Sequence, residues 1–188
     1  MAGPALMTNL ARGAKILALL LFVLPWVTIS CAEQTLVSMS GVDLATGSVT
    51  MNNPAPPGST APAPDNPFDQ PNMAVIAAAL LIVLGLIAGL VIKGRTGLMA
   101  NAAGAAAAGA AIAYAVFVDI PGTMRGSEGF REAMADPQMA GLIRLNVEPG
   151  AWLVLAALVA AIVFDALAMK GGTAAAAPAK PAEPPPPV

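Results

Sequence analysis

The amino-acid sequence predicts an all-α membrane protein, a four-helix transmembrane bundle with two outer loops and a short β segment in the first loop. The 188-residue chain is 57% hydrophobic and only 11% charged, with a mean hydropathy of +0.73. Soluble domains are about 45–50% apolar and about 25% charged. A membrane protein can leave its apolar faces uncovered because lipid surrounds them. The composition therefore favours a membrane protein.

Four apolar segments approach the length of a membrane crossing, which is about 20 residues within a range of about 17–25. The predicted spans are residues 14–31, 73–92, 98–118 and 150–169. The remaining parts are an N-terminal segment (1–13), an acidic, Pro-rich outer loop (32–72), a tight turn (93–97), a second outer loop (119–149) and a disordered tail (170–188). The tight turn makes the second and third spans an antiparallel hairpin.

The distribution of charge predicts the direction of the spans. No basic residue occurs between Lys15 and Lys93, and nine of the eleven acids lie in the two outer loops. Six of the nine basic residues fall on the other side: Arg12, Lys15, Lys93, Arg95, Lys170 and Lys180. The positive-inside rule then places both termini in the cytoplasm. Trp26 and Trp152 near the outer helix ends are typical of an interfacial aromatic belt.

The first apolar segment has a second interpretation. Basic residues, an apolar stretch and a Ser30-Cys31 junction are typical of a lipoprotein signal peptide that is cleaved before a lipidated cysteine. Pro25 and Trp26 interrupt the apolar stretch, which is unusual for such a signal. A cleaved signal would leave three spans and would move neither loop to the other side.

The outer loops contain several local patterns. Residues 34–40 (QTLVSMS) alternate polar and apolar side chains, which predicts a strand, and residues 41–47 (GVDLATG) predict turns. Residues 52–71 are Pro-rich and predict an extended spacer. In the second loop, residues 127–135 predict a short amphipathic helix. Residues 139–147 are too short to span, and would lie in the interface, pack on the bundle or form a strand against the first loop.

Small residues predict close helix packing in the second and third spans. Gly85 and Gly89 are separated by three residues, and Gly104 and Ala108 lie on a small-residue face of the third span. Such faces allow helix backbones to approach closely in a membrane. The contact would be made within the bundle, or with another protein or a second copy.

Asp165 is the one acid within a predicted span. An intramembrane carboxylate is a candidate functional group. Asp165 precedes Lys170 by five residues and therefore lies near the end of the span. We expect a structural ion pair with Lys93 or Arg95 on the neighbouring hairpin, in preference to proton or ion handling.

The sequence carries little chemistry. It has no histidine, and its single cysteine, Cys31, excludes a disulfide within the chain. Cys31 would need a base to act as a nucleophile. The net charge of −2 gives no indication of nucleic-acid binding. We therefore predict no catalytic site, no metal and no cofactor, and we expect the partners to be the lipid bilayer and other membrane proteins or a second copy.

The junction after the first span carries a family resemblance. The stretch FVLPWVTISCAEQTLVSMSGVDLATG (residues 22–47) includes Pro25, Trp26 and Cys31. It resembles uncharacterised bacterial four-span membrane proteins in which the first span ends in a Pro-aromatic stretch with Ser-Cys. In those proteins a short strand and a Gly-x-Asp-Leu-x-x-Gly turn follow. The resemblance implies no activity, and it favours a loop position for Cys31 over a lipid site.

These observations predict a non-enzymatic accessory, assembly or scaffold subunit of the bacterial inner (cytoplasmic) membrane. It would act through contacts of its helices and outer loops. Two alternatives remain at this stage. One is a small transporter or channel subunit that uses Asp165, and the other is a lipoprotein anchored at Cys31.

Overall fold

The computed structural model describes residues 3–31, 34–49, 67–135 and 142–174. Its helices are α1 (Pro4–Leu20), α2 (Gly41–Thr46), α3 (Met73–Val91), α4 (Arg95–Tyr114), α5 (Ile120–Gly126), α6 (Glu128–Ala135) and α7 (Pro149–Ala174). Its strands are β1 (Pro25–Cys31), β2 (Gln34–Ser40) and β3 (Ile143–Val147). The helical prediction is confirmed, but the all-α class is too narrow because the strands form a three-stranded sheet.

Four helices in this part of the chain are long and apolar enough to cross a membrane: Ala5–Val23, Met73–Val91, Arg95–Gly126 and Pro149–Gly171. The predicted number of long apolar helices is confirmed, and these helices indicate a multi-pass membrane protein. The second helix agrees with the predicted span at residues 73–92 to within one residue.

The predicted bounds of the first span, residues 14–31, are wrong. The helix begins at Pro4, and a 3-10 turn extends it to Val23. Proline is well tolerated in the first turn of a helix, but at Pro25 it disfavours helical backbone at the preceding residue. Leu24 is accordingly extended, with ψ 152°. The β-branched run that follows favours a strand, so residues 25–31 form β1 outside the helical bundle.

The sheet joins the end of the predicted first span to one strand from each of the two predicted outer loops. Its strand order is β2-β1-β3, and both pairings are antiparallel. Thr28 of β1 pairs with Ser38 of β2 and with Asn146 of β3. The predicted strand at residues 34–40 is confirmed. Residues 143–147 also form a strand, one of the three alternatives for residues 139–147, but it pairs with β1 and not with a strand of the predicted first loop. Val27 and Ile29 lie buried on the inner face of the sheet.

Helix α2 replaces the turns predicted for residues 41–47. Ser40 and Asp43 form a capping box: the Asp43 amide donates to the Ser40 hydroxyl, and the Asp43 carboxylate accepts from the Ser40 amide. Such reciprocal bonds satisfy amides that the first turn leaves unpaired. The helix ends at Gly47, whose φ of 69° is a left-handed conformation that glycine adopts without strain.

The long helices pack side by side in the order α1, α7, α4, α3. The contact between α1 and α3 involves the fewest residues of the four, and it closes the bundle. The α3–α4 hairpin is close-packed, because a Cβ on Gly104 would lie 3.1 Å from the Leu81 carbonyl oxygen and 3.2 Å from the Gly85 Cα. Its turn passes through Gly94, whose φ is 79°.

The third and fourth helices are longer than predicted. A π-helical segment, Ala115–Asp119, joins α4 to α5, so that the helix continues past the predicted limit of residue 118 to Gly126. Helix α7 extends beyond the predicted residues 150–169 at both ends. The predicted amphipathic helix at residues 127–135 corresponds to α6. Residues 52–66 of the predicted Pro-rich spacer (52–71) and residues 175–188 of the predicted tail (170–188) lie outside the described residues.

Candidate functional site

Two polar residues lie in the buried faces along which α1 and α7 pack. The buried positions along the α1 segment are Ala11, Lys15, Ala18 and Phe22, and those along the facing part of α7 are Leu158, Ala161, Asp165 and Ala168. Steps of three and four residues keep each set on one side of its helix. Because the two helices run antiparallel, Lys15 comes opposite Asp165, with a small alanine before and after each of them.

A buried polar cluster joins three helices at this level. The Lys15 Nζ lies 3.7 Å from the Asp165 Oδ2 and donates a 2.5 Å hydrogen bond to the main-chain oxygen of Asn101 in α4. The Asn101 Nδ2 donates to both carboxylate oxygens of Asp165, at 3.1 and 2.8 Å. Lys15 and Asp165 are 0% exposed and Asn101 is 1% exposed. Lys15, Asn101 and Asp165 are called the polar cluster below.

Glycines of α3 make room for the polar cluster. A Cβ on Gly89 would lie 3.1 Å from the Asn101 Cγ, and a Cβ on Gly85 would lie 3.6 Å from the Asn101 main-chain oxygen. Gly85 and Gly89 therefore allow α3 to approach the face of α4 that carries Asn101. Gly104 continues this close contact one turn further along α4, and Ala108 is fully buried.

Arg12 connects α1 to α3, the long helix that the polar cluster does not include. Its Nη2 donates a 2.8 Å hydrogen bond to the main-chain oxygen of Gly89, close to the end of α3. Its Nε is buried and has no partner among the described residues, and the same is true of the Asn101 Oδ1. Arg12 and the polar cluster together bind α1 to α3, α4 and α7 at one level of the bundle.

The polar cluster has the geometry of a structural ion pair. Both oxygens of Asp165 already accept hydrogen bonds from one amide, and the ammonium of Lys15 is held by the carboxylate and a main-chain oxygen. A buried charge is tolerated when it is paired and hydrogen-bonded. The arrangement can fix the relative position of three helices, because removing any one member leaves buried polar groups without partners.

The partners predicted for Asp165 are wrong. Lys93 and Arg95 are exposed at the α3–α4 turn, and the carboxylate is paired with Lys15 instead. The error follows from the misplaced first span, which put Lys15 at the membrane surface. The apolar residues Leu6, Met7 and Leu10 before Arg12 are the signal that could have moved the span towards the N-terminus.

The outer junction residues Pro25, Trp26 and Cys31 lie in the central strand of the sheet. Trp26 is 0% exposed, and its ring packs edge-on against Phe22 with centroids 4.7 Å apart. A Cβ on Gly41 would lie 2.6 Å from the Trp26 ring, so glycine is needed there. Trp26 therefore anchors the sheet on the bundle and is not part of an aromatic belt. Cys31 is a partly exposed free thiol at the end of β1.

The end of the bundle that carries the sheet also presents exposed aromatic side chains and a cavity. Trp152 is 54% exposed and packs against Phe117 with centroids 5.6 Å apart. A mainly apolar cavity of about 340 Å³ lies between α5, α6 and β3, and its lining includes Met124, Phe130 and Leu145. Within the described ranges, no group of three or more Cys, Asp or Glu side chains is placed to hold a metal ion.

No protein-family model matches the chain, and no curated protein matches it.

Proposed function

We propose that this chain is a non-enzymatic accessory, assembly or scaffold subunit of the bacterial inner membrane, which acts through helix contacts and its outer face. The observation that carries the proposal is the outward face of α4. Its exposed residues include a run of alanines: Ala103, Ala106, Ala107 and Ala110. The exposed large side chains of α4, Met99 and Tyr114, lie towards its two ends. The other three long helices expose large side chains along their length, such as Leu20 on α1, Leu84 on α3 and Val159 on α7.

An alanine face is suited to another helix. Lipid tails are as apolar as a leucine side chain, so helices in a membrane associate by close packing, and small residues permit the backbones to approach. The buried alanines of α4, such as Ala105 and Ala108, already serve the contacts inside the bundle. The outward alanines are additional, and they support contact with a helix of a partner or of a second copy.

The charge distribution supports an orientation with both termini in the cytoplasm. Arg12 and Lys15 lie within the first helix, so they no longer count as flanking charges. Lys93, Arg95 and Lys170 still lie at the end of the bundle that has the α3–α4 turn, and the sheet lies at the other end. Basic residues at helix ends favour the cytoplasmic side. The sheet and the cavity beside β3 would then face outward and offer a second contact surface.

The alternatives receive less support from the contacts. Transport through Asp165 would require carboxylate oxygens that are free to bind a proton or an ion. Both of its oxygens instead accept hydrogen bonds from Asn101. A lipoprotein would be cleaved before Cys31. Cleavage there would remove α1, which is joined to the other three long helices, and all of β1 except Cys31. We therefore do not propose either function.

The experiment is purification of the tagged full-length chain in mild detergent, with light scattering and mass spectrometry of what accompanies it. We expect a stoichiometric partner or a homo-oligomer that is lost in the double variant Ala106→Leu/Ala110→Leu. The matched control is Ala156→Leu, at an exposed alanine of α7, which should retain the assembly. A lone monomer of the wild-type chain would overturn the proposal.

A further inference from the structure

Positive charge is concentrated at the end of the bundle that has the α3–α4 turn. Five basic residues lie there within the described ranges: Arg12, Lys15, Lys93, Arg95 and Lys170. The acid among the described residues at that end is Asp165, and its carboxylate is paired with Lys15. Within the described ranges, Arg12, Lys93 and Arg95 therefore have no carboxylate within 4.0 Å.

Arg12 lies within α1 and has no ion pair with a carboxylate among the described residues. In the described part of the chain, no carboxylate lies within 4.0 Å of its guanidinium. One hydrogen bond goes to the Gly89 carbonyl oxygen, and its Nε is a buried donor without an acceptor. A guanidinium presents five N–H donors in a plane and can bind two oxygens of a phosphate at once. Arg12 thus retains both charge and donors for an anion.

The position of Arg12 fits the level of lipid headgroups. Gly89 precedes Ile92, the first residue after α3, by three residues. This separation corresponds to about 4.5 Å at 1.5 Å per residue. The guanidinium therefore lies about one helical turn below Lys93 in the polar turn. Arginine side chains near helix ends extend to the membrane interface. The contact between α1 and α3 is the least extensive of the four contacts that close the bundle, and Arg12 is partly exposed there.

We propose that Arg12, at the α1–α3 contact, binds the phosphate of an anionic lipid headgroup. The neighbouring Lys93 and Arg95 add attraction for a net negative headgroup and disfavour a zwitterionic one, whose ammonium they would repel. Basic residues near the membrane surface attract anionic lipid. Below Arg12, α1 and α3 expose large apolar side chains, including Ile16, Leu20 and Leu84, which acyl chains can contact.

The test measures lipid retention by the full-length protein. The protein is purified in mild detergent, titrated with phosphatidylglycerol or phosphatidylcholine, and analysed by native mass spectrometry. We expect about tenfold tighter retention of phosphatidylglycerol, in line with the attraction of more than one basic residue. Arg12→Gln should reduce this preference to about twofold, whereas Arg12→Lys should keep most of it because the charge remains. Arg125→Gln, at an exposed basic residue of α5 at the opposite end, is the matched control and should bind as the wild type does.

Three results would overturn the proposal. The first is equal retention of the two lipids by the wild-type protein, a reading that needs no variant to fold. The second is an unchanged preference in Arg12→Gln. The third is displacement of phosphatidylglycerol by millimolar inorganic phosphate, which would assign the site to a soluble phosphate rather than to lipid. If Arg12→Gln does not fold, the proposal is still tested by whether the wild type and Arg12→Lys retain phosphatidylglycerol more tightly than phosphatidylcholine.

Discussion

Lys15 and Asp165 are the residues on which the packing of α1 depends most directly. Both are fully buried, and their charges are compensated by each other and by Asn101. Replacing a buried ion pair by apolar residues is often neutral, but removing one partner leaves a buried charge and costs about 3–5 kcal/mol. The two kinds of substitution therefore distinguish a structural pair from a surface contact.

We expect Lys15→Met to lower the free energy of unfolding by about 3–5 kcal/mol, because the Asp165 carboxylate loses its cation. The double variant Lys15→Met/Asp165→Leu should recover most of this loss. The measurement is reversible unfolding in detergent or bicelles, followed by circular dichroism. An additive effect of the two substitutions would contradict a direct interaction.

Lys93→Met is the matched control for Lys15→Met. Lys93 is exposed at the α3–α4 turn, so its replacement should change the free energy of unfolding by no more than about 0.5 kcal/mol. A loss as large as that of Lys15→Met would restore Lys93 as the partner of Asp165 and contradict the observed pairing.

Asp165 could be recognised from the sequence, but its partner could not. An acid in an apolar helix stands out by composition alone. The pairing with Lys15 depends on where α1 begins and on the register between two helices 150 residues apart in the chain. Asn101 gives an even weaker signal, because one amide near a helix end is common and its two bonds to Asp165 become visible only in three dimensions.

At the level of elements, α3 and α4 pack closely against each other at Gly104. Gly104 faces backbone atoms of Leu81 and Gly85 at 3.1–3.2 Å from where its Cβ would be. Backbone atoms cannot move aside as a flexible side chain can, so any side chain at this position forces the helices apart. Gly109 lies on the same helix, but the nearest atom to its Cβ position is a Leu158 methyl group at 3.9 Å.

We expect Gly104→Ala to destabilise the bundle by about 1–3 kcal/mol through overpacking. Gly109→Ala should be neutral or stabilise it by up to about 1 kcal/mol, because alanine is the better helix former. Thermal unfolding of the two variants under the same conditions compares them. Equal midpoints would show that α3 and α4 do not approach as closely as described.

The start of α7 provides a second close contact, with the central strand. A Cβ on Gly150 would lie 2.2 Å from the Pro25 carbonyl oxygen, and the Glu148 amide donates a 2.8 Å hydrogen bond to the Trp26 carbonyl oxygen nearby. Gly150→Ala should therefore cost about 1–3 kcal/mol of the free energy of unfolding. Gly122→Ala is the control, since nothing lies within 4 Å of its Cβ position. Equal stability of the two variants would argue against the docking of α7 on β1.

Elements with a strong local pattern were predicted well, and β1 was not. Helix α3 is uniformly apolar, β2 alternates, and α6 is amphipathic, so each pattern identifies its structure. Strand β1 directly follows the apolar residues of α1 and its 3-10 turn, and its partner β3 lies more than 110 residues away in the chain. Only the proline at its start signals the end of the helix, and a proline within an apolar segment is also compatible with a kinked span.

At the scale of the whole molecule, hydropathy predicts four helices but not their arrangement. The placement of α7 between α1 and α4 and the closure of the bundle at the α1–α3 contact depend on side chains that meet across long sequence distances. The sheet adds a second connection, because it joins the strand that follows α1 to the strand that precedes α7. Both connections make α1 an integral part of the fold.

The central claim is that the chain crosses the membrane four times, with α1 as its first retained helix. Cys31 at the end of β1 and the α3–α4 turn then lie on opposite sides of the membrane. The direct measurement is labelling with a membrane-impermeant maleimide in intact and permeabilised cells. Native Cys31 should be labelled in intact cells, whereas Cys31→Ser/Thr96→Cys, with a thiol at the exposed start of α4, should be labelled only after permeabilisation. Labelling of both sites from the same side would contradict the claim.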